Sequence, residues 1–172
     1  MKKTLSETIN FDGGHLPLDA IVDLASGNAT ASLSESKVFR DKLQRSVDFL
    51  NRLLEEDGYI YGVTTGYGDS CTVDIPAALV PELPTNLTRF HGCGMGDNFT
   101  PPQAKAIMAT CLSFLSRGMS GVRPVIMERL IELINHDIAP RIPQEGSVGA
   151  SGDLTPLSYV AAVIAGEREV FY

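Results

Sequence analysis

The sequence has no tryptophan and only three cysteines in 172 residues. Cys71, Cys93 and Cys111 are odd in number and widely spaced. Such a set suits neither a disulfide framework nor a thiolate zinc site. Free thiols, buried or half-buried, in a cytoplasmic protein are the expectation. Basic residues are a minority: 14 Lys and Arg against 21 Asp and Glu, a net charge of −7. That argues against a nucleic-acid or anionic-membrane binder, because both need a cationic surface. The acidic residues are scattered and read as a solvated surface. No apolar run approaches the length of a bilayer span. The start, "MKKTLSETINFDGG", has two lysines with no apolar run behind them, so no secretory signal is expected. No repeat, low-complexity tract or clear linker appears. One domain over residues 1–172 is the expectation, with enough chain for a real core.

What is present is mainly helical. Hydrophobic residues make up 44% of the chain, as in soluble globular proteins. "HLPLDAIVDLASG" reads as a short helix stopped at Gly27. A second helix is expected from Ser34 to Asp57. Phe39, Leu43, Val47, Leu50 and Leu54 recur there at helical spacing, and Ser34 and Ser36 are capping candidates. A third is expected over Pro76 to His91, disturbed by Pro81 and Pro84. "PPQAKAIMATCLSFLSRG" carries prolines suited to a first turn and a glycine stop at Gly118. "VIMERLIELINH" places Ile126, Leu130, Leu133 and Ile134 on one face. "DLTPLSYVAAVIAG" opens a last helix at Asp153. "YIYGV" and "EVFY" are the strand candidates, and a chain ending on "GEREVFY" reads as an interrupted fold.

Two stretches are too rich in glycine for regular structure. "GYIYGVTTGYGD", residues 58–69, reads as a structured loop. "GSVGASG", residues 146–152, consists of small residues, none charged, just before the last helix. A glycine amide is unhindered, and a glycine-flanked backbone reaches conformations closed to other residues. In a tight turn the Gly152 nitrogen can approach the carbonyl carbon of Ala150. Ring closure with loss of two waters, one taking the Ser151 hydroxyl, leaves a five-membered ring with an exocyclic methylene. That group is an electrophile, which ordinary side chains do not supply. A helix starting at Asp153 favours negative charge developing nearby. The plain alternative is a helix start made of small residues, since short motifs recur by chance.

"GSVGASGDLTPLS" resembles the signature of the histidine, phenylalanine and tyrosine ammonia-lyases and related aminomutases. Those enzymes form 4-methylideneimidazol-5-one (MIO) from Ala-Ser-Gly. "YGVTTGYGD" resembles the family's mobile tyrosine loop, and "LPTNLTRFHGCGMG", "RGMSGVRP" and "IAPRIPQEGSVGASGDL" follow in the family's order. The resemblance runs from about Leu16 onward. It implies the N-terminal MIO-bearing domain of the ammonia-lyase fold, mainly α, truncated before the long central helical bundle. It also implies MIO built from Ala150, Ser151 and Gly152, with no metal and no dissociable cofactor.

By the same resemblance, Tyr61 is the catalytic base, with Phe90, His91 and Gly68 at the substrate. The plain alternatives are a half-buried tyrosine and a histidine bonding free carbonyls at a helix end. Phe90-His91 mixes two family patterns, and the His91 imidazole is expected to donate to a polar ring edge. His15 and His136 receive no role. Pro84 stands where the family usually has glutamine, and Thr155 where alanine is common; Thr155 is expected to be tolerated.

The implied reaction removes ammonia from an aromatic L-amino acid (histidine, tyrosine or phenylalanine) to give an α,β-unsaturated acid. The full-length family forms homotetramers whose sites draw on several subunits, so this chain alone is expected to be inactive. The alternatives are an MIO-dependent aminomutase and a non-catalytic fragment that needs a complementary chain.

Overall fold

The computed structural model describes residues 7–56, 58–147 and 151–172. The first unit is a strand, helix and strand: β1 (Glu7–Phe11), α1 (Leu18–Ala25) and β2 (Ala29–Leu33). The two strands pair in parallel, Glu7 opposite Ala29 through Phe11 opposite Leu33, so α1 is the crossover that a parallel pair requires. Neither strand was expected from the sequence. In β2, Ala29, Ala31 and Leu33 are buried and alternate with half-buried Thr30 and Ser32, the period of a strand with one face on the core. The open edge of β2 is covered by a side chain. Asn135 accepts from the Ala31 amide at 2.7 Å and donates to the Ala31 carbonyl at 2.9 Å, as a neighbouring strand would.

The second helix, α2, spans Lys37–Glu55, with Phe39, Leu43 and Val47 buried. It starts later than expected. Ser36 occupies its cap position without a side-chain bond, and the Ser34 hydroxyl instead accepts from the Ser36 amide. The expected last residue, Asp57, lies outside the described residues. Instead of one helix over 76–91 there is a 3-10 turn at Ala77–Leu79 and then α3 (Leu83–His91), whose Pro84 sits in the first turn. Prolines 76, 81 and 84 lack amide donors, and the chain uses them where a helix does not require them.

The core is built around α4 (Pro101–Leu115). Ala104, Met108, Ala109 and Leu112 on it have no exposed surface. Pro101 and Pro102 occupy the first turn, and the Gln103 side chain accepts from the Thr100 amide at 2.9 Å, satisfying a donor at the helix start. Around α4 pack α1, α5 (Pro124–Asn135), α6 (Leu154–Ile164) and the short strand β4 (Ala139–Pro140). On α5 the buried line is Met127, Leu130 and Ile134. Leu130 and Ile134 are buried as expected, Leu133 packs half-buried against the core, and Met127, one turn before Leu130, takes the buried place expected of Ile126.

One cation is taken into this core. Lys105 on α4 is 5% exposed, and its Nζ lies 2.5 Å from Asp137 Oδ1 just beyond α5. Pairing is what makes a buried ammonium tolerable.

Two further strand pairs close the unit. β3 (Met95–Asn98) runs antiparallel to β5 (Pro143–Glu145), and β6 (Val170–Phe171) antiparallel to β4. The "EVFY" strand is therefore present. "YIYGV" is not a strand but a turn: the Ile60 carbonyl accepts from the amides of Val63 and Thr64, and Gly62 sits at φ +72°. The cysteines are free thiols; Cys71 and Cys111 are half-buried as expected, whereas Cys93 is exposed. Among the described residues no helix is long and apolar enough to cross a membrane.

Candidate active site

The tyrosine loop is braced from within. Thr64 Oγ1 accepts from the Ile60 amide and donates to the Gly58 carbonyl. The Tyr67 hydroxyl donates to the Gly62 carbonyl at 2.8 Å. Its ring stands 2.7 Å from where a Cβ on Gly62 would be, so only glycine fits that left-handed position. Burial pushes the Tyr67 phenol above its usual value, with the neighbouring Tyr61 adding to it. Tyr61 meets Tyr67 edge-on, ring centres 6.1 Å apart, yet is 58% exposed. Its oxygen accepts from the Gly68 amide at 2.9 Å. Among the described residues its own hydroxyl proton has no acceptor. The plain alternative of a half-buried tyrosine with a satisfied hydroxyl describes Tyr67, not the exposed Tyr61. A cavity of 490 Å³ lies behind it, lined by Leu54, Tyr59, Asp74, Ile75 and Val80 among others.

Phe90 and His91 end α3. Phe90 is 78% exposed and stands edge-on to the His91 ring, 5.2 Å between centres. His91 Nδ1 is 3.1 Å from the Leu87 carbonyl one turn back, so it bonds within its own helix. With Nδ1–H given to that carbonyl, the neutral ring presents Nε2 as an acceptor. This is the plain alternative read from the sequence, a histidine bonding a carbonyl near its helix end, and Nδ1 is thereby not free to donate to a ring edge as expected.

At the third place, Ala150 lies outside the described residues, and Ser151 and Gly152 stand exposed before α6. Gly152 has φ +58°, with nothing within 4 Å of where a Cβ would be. Side-chain-free space and a left-handed backbone therefore coincide at the nitrogen that ring closure requires. The Ser151 hydroxyl donates to Asp153 Oδ1 at 2.6 Å. Asp153 was read from sequence only as the helix start; the Ser-x-Asp spacing was the signal that it could reach back. These features fit a ring formed from the triplet. Asp153 also closes one end of an apolar groove of 670 Å³ between α4 and α6, lined by Phe99, Ile107, Cys111, Phe114 and Leu157 among others. Burial raises the Cys111 thiol above its usual value, and the Asp153 carboxylate raises it further. Among the described residues no three His, Cys, Asp or Glu side chains group as a metal site.

The fold joins two of these three places. Helix α3 packs on α6. Arg89 forms a two-pronged pair with Glu167 at 3.1 and 2.5 Å, and Arg168 donates to the Gly92 carbonyl at 2.8 Å while lying over the Tyr159 ring. The helix bearing Phe90 and His91 is thus fastened to the one that follows Ser151 and Gly152. Tyr61 and Gly68 are bonded to each other, and Tyr61's ring and hydrogen-bond partners lie within its own loop.

A glycine-rich tyrosine loop, a helix end with an aromatic pair and a bare triplet at a helix start define the class: the N-terminal part of the ammonia-lyase fold, a carbon–nitrogen lyase family. The family model for aromatic amino acid lyase matches residues 16–172, and the chain belongs to that family. It is 41% identical over 162 residues to the MIO-dependent tyrosine 2,3-aminomutase of Streptomyces globisporus, covering 94% of this chain and 30% of that relative. To a histidine ammonia-lyase of Geobacillus sp. it is 42% identical over 137 residues, covering 80% of this chain and 27% of the relative. The solved tyrosine aminomutase of Streptomyces globisporus superposes with a TM-score of 0.87 at 38% identity, over 96% of this chain and 30% of the other. The chain therefore spans under a third of the length of these relatives.

Proposed function

We propose that this chain is the electrophile-bearing part of an enzyme that removes ammonia from an aromatic L-amino acid, leaving an α,β-unsaturated acid. The observation that carries the reading is the open, left-handed Gly152 beside the exposed Ser151 at the start of α6. An MIO group held by Ala150, Ser151 and Gly152 would supply the electrophile that makes ammonia a leaving group. Tyr61 would take the β-proton as the phenolate, its exposed hydroxyl having first given its proton to solvent, and the Gly68 amide donates to the same oxygen. Phe90 gives an apolar wall to the substrate ring, and His91 Nε2 accepts from a phenol or imidazole ring edge. That polarity favours tyrosine or histidine over phenylalanine.

Residues 1–172 act as one unit of a larger homotetrameric, cytoplasmic assembly. Phe90, Phe114 and Met119 are 78%, 63% and 80% exposed, and large apolar side chains standing in solvent are what an assembly covers. Alone, the chain binds or contributes but does not turn over. The aminomutase reading has its own support in the similarity to tyrosine aminomutases; it shares the electrophile and returns ammonia to the β-carbon.

Products decide between the two. With the remaining part of a family-length enzyme supplied, the assembly given tyrosine, histidine and phenylalanine separately is expected to yield the unsaturated acid from tyrosine or histidine. A β-amino acid as the main product replaces lyase by mutase. Appreciable turnover by this chain alone contradicts the dependence on further subunits.

A further inference from the structure

Thr155 lies in the first turn of α6 and is 5% exposed. Its hydroxyl donates to the Gly146 carbonyl at 3.0 Å, nine residues back. Its methyl packs so closely that a Cβ on Gly146 would come within 2.9 Å of it and within 3.0 Å of the Gly94 Cα. One turn on, the Tyr159 hydroxyl accepts from the Gly94 amide at 3.1 Å. One face of α6 therefore holds both backbones that pass it, Gly94 before β3 and Gly146 after β5. The Thr155 bond joins the two ends of the segment that carries Ser151 and Gly152, fixing the end of β5 to the start of the helix. An alanine could make neither contact.

We infer that Thr155 is a positioning residue: its hydroxyl latches Gly146 to α6 and so fixes the separation of the two backbone points that flank Ser151 and Gly152, which favours ring closure. The consequence for ring closure rests on the function proposed above; the latch itself does not. Ring closure needs the chain to fold back on itself, and a fixed separation between segment ends removes conformations that cannot close. The donor, not the bulk, is the operative group. Gly146 is itself exposed, so its carbonyl, once it loses the Thr155 hydroxyl, can turn to water and leave the helix.

Thr155→Val keeps the shape and removes the donor; Thr155→Ser keeps the donor and removes the methyl. Two readouts separate the claims, cleavage on the 172-residue chain and ring formation on that chain assembled with the rest of a family-length enzyme, with the melting temperature of each variant as control. The first is the rate of thermolysin cleavage within residues 146–153. About a tenfold increase is expected for Thr155→Val, the size of one lost hydrogen bond, and wild-type behaviour for Thr155→Ser. The second is ring formation, read as loss of two waters by mass spectrometry. It is expected to be about tenfold slower in Thr155→Val and normal in Thr155→Ser. Equal cleavage of Thr155→Val and wild type, or equal acceleration in both variants, overturns the latch. A ring that forms equally fast in all three chains overturns the positioning role. Absence of a ring from all three counts against the proposed function instead, and cleavage alone then decides whether Thr155 is a latch.

Discussion

Tyr61→Phe is expected to lower kcat of the assembled enzyme by about 10²- to 10⁴-fold, the range that a positioned proton-transfer group contributes. The ring stays; only the hydroxyl is lost. That hydroxyl accepts from the Gly68 amide and, among the described residues, gives its proton to nothing. A structural tyrosine is used differently, as Tyr67 illustrates: its hydroxyl donates to the Gly62 carbonyl and its ring fills the space beside Gly62. Tyr67→Phe is therefore a control that loosens the loop without removing a base, and a change of a few-fold, mainly in KM, is expected of it. Tyr61 is 58% exposed, so its replacement costs less than about 1 kcal/mol of stability. A large fall in kcat with unchanged melting is the signature of a base. A Tyr61→Phe enzyme within about threefold of wild type removes Tyr61 from the chemistry.

The second large effect concerns what holds the site. Leu112→Ala is expected to destabilise the chain by about 2–5 kcal/mol, the cost of a buried Leu-to-Ala change with its residual cavity. Leu112 is wholly buried on α4, the helix against which α1, α5 and α6 pack. For a domain of this size that is a fall in Tm of roughly 4–20 °C. Domains have only about 5–15 kcal/mol in total, so the variant approaches unfolding at physiological temperature. Phe114 is the comparison, two residues along the same helix but 63% exposed on the apolar groove. Phe114→Ala in the isolated chain is expected to cost under about 1 kcal/mol. Denaturant melts of both variants measure the contrast. Equal costs would mean that α4 is not the centre of the core.

The helices were legible where apolar spacing was long and regular. Phe39, Leu43 and Val47 marked α2, and the proline–glycine punctuation of 101–118 marked α4. The strands were not. "ATASL" alternates correctly, but alanine, serine and threonine carry too little hydrophobic contrast for a short strand to stand out. What makes β2 a strand is its pairing with β1 and the Asn135 side chain on its edge, contacts between residues far apart in sequence. "YIYGV" has the composition of a strand, yet it turns, because the Thr64 hydroxyl takes the Ile60 amide and Tyr67 packs on Gly62.

At the candidate site the motif residues were legible and their partners were not. The run 146–152 announced itself by its small, uncharged residues. That Ser151 bonds to Asp153, that Thr155 bonds to Gly146 and that His91 spends Nδ1 on Leu87 are facts of three-dimensional placement. The last of these is the plain alternative read for His91, and it leaves the ring an acceptor rather than the expected donor.

The central claim is that residues 150–152 are the source of an electrophile. Its most direct measurement is the mass of the peptide containing Ser151, taken from this chain assembled with the rest of a family-length enzyme and compared with Ser151→Ala. The account predicts a wild-type peptide lighter by two waters, with a new absorbance near the ultraviolet edge of the protein band, and a Ser151→Ala chain with neither. An active assembly in which Ser151 retains its full mass would contradict it.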